Sequence, residues 1–345
     1  MKKITKITLV ILTSFAFTLS AFAGDLQVTG AAKASYKIGG ASKDASKGLG
    51  VSNELDFTAT GELDNGFTWK WQTQLDDATV NNDDTHMSLT TPYGTTGIFI
   101  SEGGLSTELG YGVGAMGPGS DYVGPMTIVW SYDVSSYNSV QYHTPSGMLP
   151  YGITVKAAYA PNLSSTQGAS FKAEGAVETN TVGADASMIQ ISASPMDGLS
   201  VGADVFRAPS TTTGRYDQES ANAYVKYSMG PITVGAAKSG AQPLVNAGSE
   251  STNYETDSYG LQFAVNDALS VSYSIEKSTK NVRTAVASAE TVGKKVSTES
   301  KIDHIQAAYT IGGATVGVAL ADASNSDYTE GRNEKVTVFS LAMAF

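Results

Sequence analysis

Between residues 53 and 76 the sequence reads NELDFTATGELDNGFTWKWQTQLD, and its polarity changes at almost every step. Leu55, Phe57 and Ala59 alternate with Glu54, Asp56, Thr58 and Thr60. Past Leu63-Asp64-Asn65-Gly66, Phe67, Trp69 and Trp71 alternate with Thr68, Lys70 and Gln72. A period of two belongs to a strand with two unlike faces, and an Asn-Gly pair between two such strands makes a hairpin. The unit recurs along the chain. Its turns are Asp64-Asn65-Gly66, Pro92-Tyr93-Gly94, 146–152, Pro195-Met196-Asp197-Gly198, Met229-Gly230-Pro231, Asn266-Asp267-Ala268 and Gly312-Gly313. These seven hairpins, with flanking segments Leu26 to Ile38 and Glu334 to Phe345, predict sixteen strands. An even number with both ends on one side is what a closed antiparallel barrel requires. The stretches 39–50, 163–182, 239–253 and 279–297 are rich in Ser, Thr and Asp and read as long loops on one rim, opposite the short turns.

Parity fixes the direction of the faces. One face carries Lys33, Lys37, Glu54, Asp56, Lys70, Gln72, His86, Gln141, Lys156, Lys226, Gln262 and Glu276. So many charges cannot fill a dry core. The other face, with Leu55, Phe57, Trp69, Trp71, Val225, Leu261, Phe263, Tyr273 and Val316, suits lipid. The expectation is an all-β transmembrane barrel with a polar, wet interior.

The chain ends point the same way. Lys2, Lys3 and Lys6 precede an apolar run closing on Ala21-Phe22-Ala23, the three regions of a secretory signal peptide (1–23) cleaved ahead of a single 24–345 domain. No later apolar run approaches the roughly 20 residues of a membrane helix. Cleavage leaves 19 basic against 33 acidic residues, a net charge of −14, which excludes nucleic acid as a partner. With no Cys, neither disulfides nor thiolate chemistry is available. The last ten residues, VTVFSLAMAF, are uncharged, and Phe339, Leu341, Met343 and Phe345 share one parity. An apolar tail of this kind needs to be held in a sheet.

With this layout, and with GELDNGFTWKWQTQL, SVQYHTP and the terminal Phe345, the chain resembles the trimeric general porins of Gram-negative outer membranes over its whole length after Ala23. The resemblance implies short periplasmic turns, long extracellular loops, a homotrimer in outer-membrane lipid and lipopolysaccharide, and passive diffusion of small hydrophilic solutes and ions. It also implies that the closing strand is the signal read by the barrel-assembly machinery. Strand one turns Val28, Gly30, Ala32 and Ala34 outward, small enough for another barrel wall to approach.

In such porins the third loop folds into the lumen, and residues 102–136 match it by position. The Pro-Glu-Phe-Gly-Gly signature is replaced by a Gly-rich run. A constriction is expected in which Glu102, Glu108 and Asp121 stand across from Lys33, Lys37 and Lys70, with Glu54 and Asp56 tilting the balance toward cations. Asp76, Asp77, Asp83 and Asp84 offer carboxylates that could hold Ca²⁺ at the loop rim, although such runs are ordinarily solvated loops. No other cofactor is expected.

A substrate-specific channel for a sugar or other nutrient stays open through Tyr111, Tyr122 and Trp130. A structural barrel is a further alternative. A barrel hydrolase is disfavoured: His86, His143 and His304 lie on separate strands without an adjacent Ser or Asp motif and read as pore-lining or rim residues. HExxH spacing is also missing.

Overall fold

The computed structural model describes residues 24–40, 47–76, 82–123, 128–163, 185–211, 216–244, 250–284 and 295–345. Residues 1–23, and with them the expected signal peptide, lie outside this set, as do Asp77 and most of 163–182.

The described residues form sixteen strands, paired across the seven expected turns. The hairpins are β2 (Lys47–Glu62) with β3 (Thr68–Asp76), β4 (Asn82–Thr91) with β5 (Gly94–Ile100), and β6 (Asn138–His143) with β7 (Thr154–Ala160). Next come β8 (Ala186–Met196) with β9 (Leu199–Ala208), β10 (Gln218–Met229) with β11 (Ile232–Gln242), β12 (Glu250–Ala264) with β13 (Leu269–Thr284), and β14 (Lys295–Ile311) with β15 (Ala314–Ser324). Strands β1 (Leu26–Gly40) and β16 (Glu334–Ala344) pair antiparallel to each other and close the barrel. Every neighbour in sequence is a neighbour in the sheet.

Three of the stretches expected as loops are partly strand. Lys47–Gly50, Ser239–Gln242, Glu250–Asn253, Thr279–Thr284 and Lys295–Ser297 all extend the ladder, and Glu250 pairs with Thr284. β13 and β14, at 16 and 17 residues, exceed the roughly 9–11 a tilted strand needs to cross a bilayer. Beyond the hydrocarbon both faces meet water, so these strand ends lose the apolar alternation by which a strand is recognised.

The outward face is apolar as expected: Trp71, Tyr159, Val225, Leu261, Phe263, Tyr273, Val316, Phe339, Leu341 and Met343 are all exposed on it. The inside is only half as the sequence suggests. The described residues of 101–137, here L3, fold into the barrel, and the buried apolar core lies between this loop and one wall. Leu105 and Val134 of L3 pack on Ala158, Ala160, Ala186, Met188, Phe206 and Ala208. Tyr122, Val123 and Ile128 pack on Ile302, Ala319, Ala321, Ala323, Val336 and Val338. The uniformly polar lining is therefore corrected. Each large apolar side chain removed from water by this contact contributes about 1.5–3 kcal/mol. The wall is contoured to admit the loop: a Cβ on Gly260 of β12 would collide with the Val113 side chain.

Candidate functional site

The site is the lumen between L3 and the wall it leaves bare. Gln72 on β3 donates to Asp56 Oδ1 on β2 at 2.9 Å, and Gln72 lies opposite His86 of β4, whose Nδ1 is 2.7 Å from Glu102 of L3. These contacts identify the lumen face of the bare wall. By register it also carries Glu54, Lys33 (opposite Ser52), Lys37 and Lys70. All five constriction residues expected on strands thus face inward.

The three L3 carboxylates differ from one another. Glu102 lies at the base of the loop against β4, with its charge directed at His86. Glu108 accepts from Ser131 Oγ at 2.6 Å, and burial raises its carboxyl above the ordinary value. Asp121 ends a short 3-10 turn, Gly119–Asp121, and is open to the lumen. Surrounding protein raises its carboxyl, Glu276 adds to the rise, and Lys33 opposes it. Of the expected oppositions, the one between Asp121 and Lys33 leaves an electrostatic trace on the carboxyl.

Polar groups of the wall hold L3 in place, and sequence reasoning missed most of them. Asp204 of β9 accepts both the Thr107 amide and its hydroxyl at 2.6 Å, and Asn222 braces it at 2.9 Å. Asp133 within the loop accepts the Leu105 amide at 3.0 Å. Gln306 of β14 accepts the Met116 amide at 2.9 Å and donates to Gly117 O at 2.8 Å. Glu276 of β13, fully buried, accepts the Gly119 amide at 2.7 Å and the Ser120 amide at 3.0 Å. The one signal in the sequence was parity, since Asp204 shares the inward row with Phe206, an uncomfortable neighbour for a free carboxylate.

Several expectations need correction. His86 and His304 are 7% and 2% exposed, so they lie beneath L3 rather than lining the pore. Tyr111 and Tyr122 are packed against the wall at 3% and 5% exposure, with Tyr111 stacked on Trp130, and do not form an aromatic path through the lumen. Of the four aspartates expected to hold Ca²⁺, Asp77 lies outside the described residues, Asp76 and Asp83 belong to β3 and β4, and Asp84 accepts from Thr73 through its carbonyl. Among the described residues no three His, Cys, Asp or Glu side chains come together in a way that could hold a metal ion.

A search of curated sequences returned no match. Solved structures of similar shape include porins and other outer membrane proteins. An anion-selective porin from Comamonas acidovorans aligns over 93% of this chain and 100% of its own, with TM-score 0.66 and 12% identity. OmpF of Salmonella typhi, in complex with daunomycin, aligns over 94% and 98%, with TM-score 0.64 and 13% identity. In-vitro folded OmpT of Vibrio cholerae, described as a trimer form, aligns over 94% and 100%, with TM-score 0.58 and 12% identity. These likenesses establish the fold. The family model for Gram-negative porins matches residues 8–345, and the chain belongs to that family.

Proposed function

We propose that this outer-membrane diffusion channel passes small hydrophilic cations in preference to anions, without catalysis and without a cofactor. The carrying observation is that L3 contains Glu102, Glu108, Asp121 and Asp133 and not one Lys or Arg. Facing it, Lys33, Lys37 and Lys70 are interleaved with Glu54 and Asp56. Carboxylates on both sides of a narrow, low-dielectric throat raise the local cation concentration. The fold leaves the sign of selectivity open, since one structural neighbour is described as anion-selective. The reversal potential across a KCl gradient tests the reading. K⁺ should be preferred, Asp121→Asn should lower that preference about two-fold, and a Cl⁻-selective wild type would overturn the proposal.

A homotrimer is part of this reading. On the outer face of β1, β2 and β16 an apolar groove of about 530 Å³ is lined by Ala34, Tyr36, Leu49, Val51, Phe339 and Leu341. Small side chains along β1 let a second barrel wall approach closely. Ala34→Arg is expected to release monomers on unheated gel electrophoresis, and unchanged trimers would count against this face. Lipopolysaccharide is the proposed partner of the outer rim, where Lys301 meets Asp303 at 2.6 Å and Lys335 meets Asp322 at 2.7 Å on the outward face. Export through residues 1–23 and recognition of Phe339, Leu341, Met343 and Phe345 by the barrel-assembly machinery complete the proposal. Ca²⁺ at the acidic rim stays an option, tested by calorimetric titration.

A further inference from the structure

The buried group left unexplained by a passive channel is the imidazole of His304. Its side chain is 1% exposed, its Nε2 lies 3.3 Å from Glu276 Oε1, and neither ring nitrogen has a hydrogen-bond partner. Glu276 in turn is the seat of the L3 turn. Its oxygens take the amides of Gly119 and Ser120, and the Tyr111 hydroxyl donates to Oε1 at 3.4 Å. Burial and Glu276 push the Tyr111 phenol far up, so it remains a donor. Two residues beyond Gly119, Asp121 carries the loop's charge into the lumen, and His304 is near enough to act on it.

We propose that His304 is a proton-operated positioning residue which sets the ion selectivity of the channel through Glu276 and the Asp121 turn. A neutral imidazole with two unpaired nitrogens in a dry site is costly, and so is a buried carboxylate without a cation. A proton on His304 offsets both, because the ring then donates to Glu276. The charged and titratable groups around it are few. L3 supplies Tyr111, Asp121 and Tyr122, β13 supplies Glu276, and Lys33 of β1 acts on Asp121. Beside the ring, Ser274 of β13 and Ala321 of β15 are its strand partners and bring no charge. With the proton on His304, the turn is pinned harder and the throat loses one unit of negative charge.

The experiment is the K⁺/Cl⁻ permeability ratio of the purified trimer in planar bilayers between pH 8 and pH 6. A fall of about two-fold is expected on acidification, whichever ion is preferred at pH 8, so the result does not depend on the proposed cation preference. The chain has three histidines, which makes the assignment tractable. His304→Gln should flatten the profile, whereas His143→Gln should keep the step. A step that survives His304→Gln in a folded trimer, or no step in the wild type, overturns the proposal. Should His304→Gln fail to fold, ¹⁵N-histidine NMR of the wild type decides, with His86→Gln and His143→Gln assigning the third ring. A His304 ring that keeps one protonation state from pH 8 to pH 6 sinks the idea, and one that titrates there supports it.

Discussion

Deleting Phe345 is expected to cut the folded barrel in the outer membrane to about a tenth of its normal level while leaving export to the periplasm intact. Phe345 exchanges two backbone hydrogen bonds with Gly30 of β1, its amide donating at 2.9 Å and its carbonyl accepting at 2.8 Å. They lie at the seam where β16 meets β1. There the surroundings are lipid, and each unpaired backbone group costs several kcal/mol. The ring lies over Gly30 so closely that a Cβ there would be 2.8 Å from Phe345 Cζ and 2.7 Å from Glu54 O. Gly30→Val should therefore share the defect, by sterics alone. Phe345→Ala separates seam closure from recognition, since it keeps both backbone bonds and removes the ring. Heat-modifiable gel mobility of outer-membrane fractions measures all three. Loss in Phe345→Ala supports an address read by the assembly machinery, loss only on deletion assigns the effect to the seam, and normal levels in every variant refute both.

The sixteen strands and seven turns were legible because each hairpin is local. Period-two alternation and the turn residues lie within about 25 residues of each other, as in the hairpin around Asn65-Gly66. The position of L3 was legible for the same reason, being the long interval between two clear strands. Its attachment was not. Thr107 meets Asp204 across 97 residues and Gly119 meets Glu276 across 157, and nothing in the local pattern distinguishes an inward Asp bound to a loop from one bathed in lumen water. The same blindness made His304 look pore-lining. An inward His reads as wet until the loop that covers it is placed. Wall residues such as Ala319, Ala321 and Ala323 hid differently. They are small, so their inward row barely disturbs an alternation set by Val316 and Leu320 on the lipid side.

Asp204→Ala is expected to leave the barrel closed and to loosen the first half of L3. The carboxylate is 2% exposed and takes donors from Thr107 twice and from Asn222. Alanine leaves three buried donors unpaired, at about 1–3 kcal/mol each. Leu105 and Val134 beside it are fully packed on Met188 and Phe206, so the released segment also uncovers apolar wall. The ladder of β9 with β8 and β10 does not pass through this side chain, and Glu276 and Gln306 still hold the far half of the loop. The loop is tethered at both ends, and its only free direction is inward, toward β1–β3. Single-channel recordings should therefore show frequent brief closures absent from the wild type, and sugar influx in liposome swelling should fall about two-fold or more. Asp204→Asn, which retains an acceptor for Thr107 but turns an amide donor on Asn222, should lie between the two. If Asp204→Ala gives a folded trimer with wild-type current noise and swelling rate, this carboxylate does not hold the constriction, and L3 must stand on its apolar contacts and its other polar anchors, Glu276 and Gln306 among them.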